Sequence, residues 1–378
     1  MDTKKLNGIF TVLLFIFVIQ SGCSDVRKSE ITTIDIEAQI NNPVTLQASD
    51  LIAKMRYIVL ETTDSSLLST LGNTIIQKNG YFFIRDRQNL YIFDNKGKYV
   101  RQISNIGQGP NEYVRLFSFD VDDNNTYLYD GIQQRILIFD YNNNHLKDID
   151  IRSENLTGIS HVLKSSSGFI CYRYPMLFPE KYKEPIPDLI LVDEAGKEKK
   201  ILHYRTLNID MPLPFMYIPH FKRYKDKIFF YPPLQDTIFS IDMKEEKITP
   251  EIVINRGRHA VYPADLDDAT ERKLAYEKGL FIKTFTINDK WLILHCEYEK
   301  NPKVVFMYNF STKELKRVSK IINDIDNTFD ITFPHDFTDN QLLDEKLAFE
   351  IIGENKMPEL IKNLKEDDNQ IIRISDLK

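Results

Sequence analysis

The chain is poor in cysteine: three in 378 residues, Cys23, Cys171 and Cys296. Three cannot build a disulfide framework, which excludes a small scaffold stapled by bridges. Cys171 and Cys296 lie in strand-like apolar runs and read as buried free thiols, although an exported setting would permit a bridge if they met. Basic residues form no block and the formal net charge is −6. Nucleic acid is therefore not an expected partner. Beyond the first 22 residues no apolar run approaches the roughly 20 residues that a spanning helix needs. Catalytic signatures are absent as well. None of the seven histidines (His145, His161, His203, His220, His259, His295, His335) stands at an H-E-x-x-H spacing, and there is no G-x-S-x-G elbow. No catalytic residue, metal site or cofactor is expected, apart from a site assembled from distant loops.

What is present begins at the N-terminus. Lys4 and Lys5 precede an apolar core, Ile9 to Ile19, and then Ser21-Gly22-Cys23. A positive start, a short apolar core and small residues before a cut describe a secretory signal. The Ser21-Gly22-Cys23 ending resembles a bacterial lipobox, with Gln20 in place of the usual aliphatic residue. Cleavage would make Cys23 the acylated N-terminus; the alternative is an ordinary signal with a chance cysteine. Several acyl chains hold a protein firmly, at roughly 0.8 kcal/mol per buried methylene. The expected division is a signal at 1–22, a lipidated tether at 23–45 and one globule at 46–378. The expected location is exported and membrane-anchored, at the outer membrane.

The globule reads as a repeat of about fifty residues, the length of a propeller blade. A polar turn leads into a short strand, a second strand ends in Asp, and a charged turn precedes a third. The first copy runs from Lys78-Asn79-Gly80 through Leu90–Asp94 to Tyr99–Ile103, and the second repeats it through Ile136–Asp140. Later copies carry Asp193, Asp242 and, in the same position, Asn309; a sixth is faint, around Leu342-Leu343. Asn, Asp and Gly supply the backbone angles of tight hairpins. Apolar runs between them make strands buried on both faces, and such sheets must stack. The expected fold is all-β, a six-bladed β-propeller with short helical insertions; a pair of β-sandwiches is the rival. Tyr57–Glu61 is the candidate strand to complete the last blade, with Ile371–Ile374 at the far end. Asp265–Gly279, Gln341–Ile352 and Met357–Leu364 look helical.

Three segments carry a family resemblance. Ile58-Val59-Leu60-Glu61-Thr62-Thr63-Asp64 resembles a "PLETTD"-like opening. Ile106-Gly107-Gln108-Gly109-Pro110-Asn111-Glu112-Tyr113 is similar to an "IGQGPGEY" segment, with Asn111 replacing a glycine. Leu364-Lys365-Glu366-Asp367-Asp368-Asn369 resembles an "LKEDDNP" ending, with Gln370 replacing the proline. They are those of a family of six-bladed β-propeller lipoproteins from gut-dwelling Gram-negative bacteria. The resemblance implies a fold related to NHL-repeat propellers and an envelope location, and implies no activity.

Among possible sites, Gly107–Pro110 lacks a third glycine, and Pro110 removes a donor that a phosphate would need, so it reads as a connection between blades. Glu112 is expected to pair with Arg115 or Arg101 and fix that loop. Asp120, Asp122, Asp123 and Asn124 look calcium-like but lack the glycine and glutamate of an EF-hand, and read as a hairpin turn. The candidate binding residues are loop aromatics and basic groups: Tyr174 and Phe178, then Phe215, Tyr217 and His220, then Arg256 and Arg258. Aromatic, Met and Pro residues gathered in loops make a partner surface when they meet at one channel mouth. The expected function is a binding or scaffold module for an envelope protein, a peptide or a glycan. The alternative is a lyase or hydrolase in the channel, which would show as carboxylates and histidines with shifted pKa values.

Overall fold

The residue that ends each repeated apolar run builds its own turn. Asp94 Oδ1 accepts the amides of Lys96 and Lys98 at 2.8 and 2.9 Å. Asp140 does so for Asn142 and Asn144, and Asp193 for Ala195 and Lys197. Asp242 holds Lys244 and Glu245, and Asn309 holds Ser311 and Thr312. Only a side-chain Oδ1, three bonds from Cα, is needed, so asparagine serves as well as aspartate.

A computed structural model of the chain describes residues 31–69, 74–153, 156–174, 185–205, 220–262, 269–326, 328–331, 336–338, 340–354 and 361–378. The described chain begins with a strap: β1 (Thr32–Asp35), β2 (Pro43–Gln47), α1 (Ala48–Leu51) and β3 (Ile52–Val59). Six antiparallel blades follow. Blade one is β4 (Thr74–Lys78), β5 (Tyr81–Asp86), β6 (Asn89–Asp94) and β7 (Tyr99–Ile103). Blade two is β8 (Leu116–Val121), β9 (Asn125–Asp130), β10 (Arg135–Asp140) and β11 (His145–Asp150). Blade three is β12 (Ile159–Ser165), β13 (Gly168–Arg173), β14 (Ile186–Asp193) and β15 (Glu198–Arg205). Blade four is β16 (His220–Tyr224), β17 (Lys227–Tyr231), β18 (Thr237–Asp242) and β19 (Lys247–Asn255). After α2 (Ala269–Lys278), blade five is β20 (Leu280–Ile287), β21 (Trp291–Tyr298), β22 (Asn301–Asn309) and β23 (Glu314–Ile322). Blade six is β24 (Asp336–Thr338), β25 (Gln341–Lys346) and, beyond α3 (Ala348–Glu354), β26 (Ile371–Leu377), with β3 as its fourth strand. The protein is a six-bladed β-propeller.

The strap differs from the expected tether. β1 pairs parallel with β19 and β2 parallel with β23, so each adds a fifth, outer strand to its blade. The propeller unit therefore starts at Ile31, not at residue 46. β3 then pairs with β26, Ile58 opposite Ile372, which closes the ring as the sequence suggested.

Packing lies between blades, and each seam has its own apolar cluster. Phe83, Ile92, Phe119 and Leu137 fill the seam of blades one and two. Phe229, Ile252, Phe285 and Phe306 fill that of four and five, which Ile34 and Ile36 of the strap join. Ile58, Ile374, Phe82 and Phe93 seal six to one. Because both faces of a blade are buried, a run such as Ile136–Phe139 has no exposed residue. Cys171 belongs to the seam of blades two and three and Cys296 to that of four and five, so the two never meet, and both are free and buried.

One strand departs from its sequence reading. Gln341–Lys346 looks helical because it is polar, but it is β25. Its Asp344 is buried against Arg373, which donates from Nε at 3.0 Å and Nη2 at 2.5 Å, and also from Nη1 to Phe329 O and Nη2 to Asp330 O. A satisfied ion pair is what lets a charged strand sit inside. Asp265–Gly279 contains helix α2, and the helix expected over Gln341–Ile352 starts at Ala348. Met357–Leu364 lies partly outside the described residues.

Candidate binding face and channel mouth

Strand order makes the two ends of the propeller unlike. All first strands run the same way, so turns from strand one to two and from three to four share one end. These are 79–80, 122–124, 166–167, 225–226, 288–290 and 339–340, with 95–98, 141–144, 194–197, 243–246 and 310–313. Among the described residues the other end carries the links between blades at 60–69, 104–115, 151–153, 156–158, 256–262, 269–279, 323–326 and 328–331, and the insertion at 347–354 and 361–370. Both helices α2 and α3 belong to this long-connection face.

Exposed apolar side chains follow the same division. Among the described residues Leu67, Ile106, Ile132, Tyr262, Leu274, Ile325 and Phe349 lie in its connections, and Leu67, Ile132 and Phe349 are at least half exposed. The remaining large exposed hydrophobics are Ile31, just before β1, and Val44, Val100, Leu146 and Tyr204 on outer strands; none lies on the described short turns. Scattered exposed apolars are ordinary, but their gathering on one face marks a contact surface.

The predicted site residues separate. Cys23, Phe178, Phe215 and Tyr217 lie outside the described residues. Tyr174 is half-buried at the end of β13, its amide donating to Gly158 O at 2.9 Å. Arg258 is exposed and pairs with Glu37 at 3.3 Å. Arg256 is a correction: it is not on a solvated basic loop but 1% exposed. It donates from Nε to Asp236 at 2.8 Å and from Nη1 to Leu280 O at 3.2 Å, so it braces the connection from inside. Glu112 is also corrected. Neither arginine takes it; its Oε2 accepts the Gly109 amide at 2.7 Å, while Arg135 of blade two donates to Gly109 O and Glu112 O. The family-like segment is thus a self-braced link between blades. Asp122 Oδ1 accepts the Asn124 and Asn125 amides, as a hairpin turn requires.

His220 opens β16, and its surroundings include residues that the loop-centred reading passed over. On the same and the neighbouring inner strands lie His161 near the start of β12, Lys222 midway along β16 and Lys283 midway along β20, with His295 on β21 opposite Thr284. All five are half-buried. Arg85 reaches the rim, donating to Phe117 O at 2.6 Å and Leu116 O at 2.8 Å. Burial, then the nearby Arg85, lowers the pKa of His161 to about 4. Burial, followed by Lys222, His161, Lys283 and His295, lowers that of His220 to about 3. Both imidazoles are neutral at pH 7. Lys283 pairs with Glu297 of β21 at 3.1 Å. At the short-turn end Arg223 passes the inner strand of blade three to reach Asp120 of blade two at 2.7 Å, also donating to Lys164 O. The signal for this cluster is positional: basic residues recurring one blade apart along first strands, not close in sequence. Among the described residues no three His, Cys, Asp or Glu side chains converge as metal ligands.

Comparison with known proteins agrees with this architecture. The model of a family described as a domain of unknown function, DUF4934, matches residues 31–375. No curated protein matches the sequence. Among solved structures, a protein of Bacteroides fragilis is similar at 18% identity and a TM-score of 0.69, over 92% of this chain and 100% of its own. A member of the DUF4221 family from Bacteroides vulgatus is similar at 11% identity and a TM-score of 0.56, over 87% of this chain and 97% of its own. At these identities the likeness is one of fold.

Proposed function

We propose that this chain, which belongs to the DUF4934 family, is an exported binding module, held at the envelope by lipid on Cys23 and presenting its long-connection face to a protein, peptide or glycan. The observation that carries the reading is the asymmetry of the propeller. Among the described residues, long connections and exposed apolar side chains share one end, while the turns at the other are short and expose no large apolar side chain. A rigid six-bladed scaffold holding variable loops is a common basis for recognition. The leader and the Ser21-Gly22-Cys23 ending support export and anchoring, and the Bacteroides fragilis structure of like fold is described as that of an exported protein.

The test is capture after mild crosslinking in intact cells. Wild type is compared with a variant in which Leu67, Ile106, Tyr262 and Phe349 are replaced by Ser. A defined partner lost in the variant, with unchanged thermal unfolding, supports the reading. A partner retained at full yield by the variant sinks it. Labelling with a radioactive fatty acid, lost in Cys23→Ala, tests the anchor separately.

The rival, hydrolase or lyase chemistry in the channel, has in its favour the two histidines of lowered pKa. Against it, the described carboxylates Glu297 and Asp120 on these inner blades are engaged, by Lys283 and by Arg223.

A further inference from the structure

We infer that the channel mouth on the long-connection face is a site for an oxyanion group, a carboxylate, sulfate or phosphate ester on the ligand, gripped by Lys222 and Lys283 with His161 and His220 beside them. The inference rests on reading that face as the binding face, and it names the chemistry recognised there.

Four features carry it. First, the groups come from three successive inner strands, His161 and His220 near the starts of β12 and β16, and Lys222 and Lys283 midway along β16 and β20. Second, each is half-buried, so it is open to water yet partly stripped of it. In such a setting a charge is worth more than on the surface. Third, the described groups acting on the two histidines are basic: Arg85 of β5 on His161, and Lys222 of β16, Lys283 of β20 and His295 of β21 on His220, with the Tyr172 ring of β13 against His161. Lys283 is itself paired with Glu297 at 3.1 Å. Fourth, aromatic rings line the same region: Phe221 lies 6.4 Å from His161 and 6.0 Å from Tyr172, and Arg115 sits 5.5 Å from the Phe117 ring. Rings beside cations give an amphipathic ligand an apolar surface next to its charge.

The histidines make the site responsive. In the free protein burial and the neighbouring cations keep them uncharged. An anion placed among them supplies the opposite charge that favours the imidazolium, so their pKa values rise on binding. Binding then takes up protons, and affinity increases as pH falls from 7 towards 5. A surface lysine pair without buried histidines has no such linkage.

The experiment follows the histidine ring signals of the full mature chain by NMR, with sodium sulfate, phosphate and glucuronate as separate probes against sodium chloride of equal ionic strength. The expected result is that the His161 and His220 signals titrate below pH 5 in chloride and move to higher pH with at least one oxyanion. Calorimetry in two buffers of different ionisation enthalpy should show proton uptake. Which probe acts distinguishes carboxylated from sulfated or phosphorylated ligands. Lys222→Gln and Lys283→Gln should each weaken binding about tenfold, the loss of one charge-assisted contact. Shifts no larger than those in chloride overturn the inference, and so does binding unchanged in both lysine variants. Should a variant misfold, the wild-type titration decides alone. Partner capture that survives the loss of this response leaves the binding-face reading standing; intact anion binding with no capture by the apolar surface does the reverse.

Discussion

Ile58 and Ile372 face each other within blade six, beside the seam where the ring closes: the first lies in the strap before blade one, the second in the last strand of the chain. Both are buried, at 6% and 0% exposure. Nothing covalent joins blade six to blade one except the chain that runs from this strand through Leu60, so the pairing decides whether the ring is closed. Ile58→Asp should destabilise the fold by roughly 3–5 kcal/mol, while Ile58→Val should cost only about 1 kcal/mol. Urea unfolding followed by fluorescence measures both. Equal, small effects would mean that closure contributes little.

Gly97 reports on the same seam from the other side. Its φ is +84°, and an added Cβ would lie 2.1 Å from Val59 O of the closing strand. Gly80 has a similar φ of +78° with nothing within 4 Å. Gly80→Ala should cost about 1 kcal/mol, the left-handed penalty alone. Gly97→Ala should cost clearly more, because the backbone of β3 must also move. Thermal unfolding of the two variants gives the comparison, and matching shifts would contradict the close approach.

The buried pair of Arg373 and Asp344 allows a double-mutant test. Arg373 also stands 4.5 Å from the Phe329 ring. Asp344→Ala leaves the guanidinium buried without its counter-ion and should cost about 3–5 kcal/mol. Replacing both, Asp344→Leu with Arg373→Met, should recover most of that loss, since the expense is the stranded charge and not the missing bond. Chemical denaturation of the three proteins decides it; a double variant as weak as the single one would show that the pair itself supplies the stability.

The turn aspartates predict the acid side of the stability curve. Hydrogen bonds from Asn144 lower the pKa of Asp140, the Lys197 amide that of Asp193, and the Glu245 and Lys244 amides that of Asp242. A carboxyl lower in the folded than in the unfolded state stabilises above its unfolded pKa of about 4 and ceases to as pH falls through its folded value. Stability should thus be level from pH 7 to 5 and decline below 4. Asn at all three positions keeps the turns, as Asn309 does, and should flatten that decline. Melting temperature against pH, for wild type and triple variant, provides the check; parallel curves would count against the turns as its source.

Burial raises the thiol pKa of both Cys171 and Cys296 to about 12. A thiolate-seeking reagent at pH 8 should therefore label neither in the native protein, and both once urea unfolds it. The mature chain is best assayed with Cys23 replaced by Ala. Rapid native labelling would mean that a seam opens.

Much of this protein was readable because its causes are local. An Asp or Asn that caps its own turn, and an apolar run buried on both faces, leave their mark at each repeat, so the blades and the closing role of Tyr57 emerged from residues alone. The strap did not, because Thr32–Asp35 and Pro43–Gln47 carry no periodicity and become strands only where an outer edge accepts them. Gln341–Lys346 was misread for a like reason: its polarity makes sense only once Arg373, distant in sequence, arrives beside Asp344. The same holds for Arg256, a loop arginine whose carboxylate partner lies on another connection. Patterning within about fifty residues thus determined the fold, through turn chemistry and burial. The tertiary structure alone decided which connections share a face, and it alone set His161, His220, Lys222 and Lys283 on neighbouring inner strands, because blade stacking converts a spacing of one blade into adjacency.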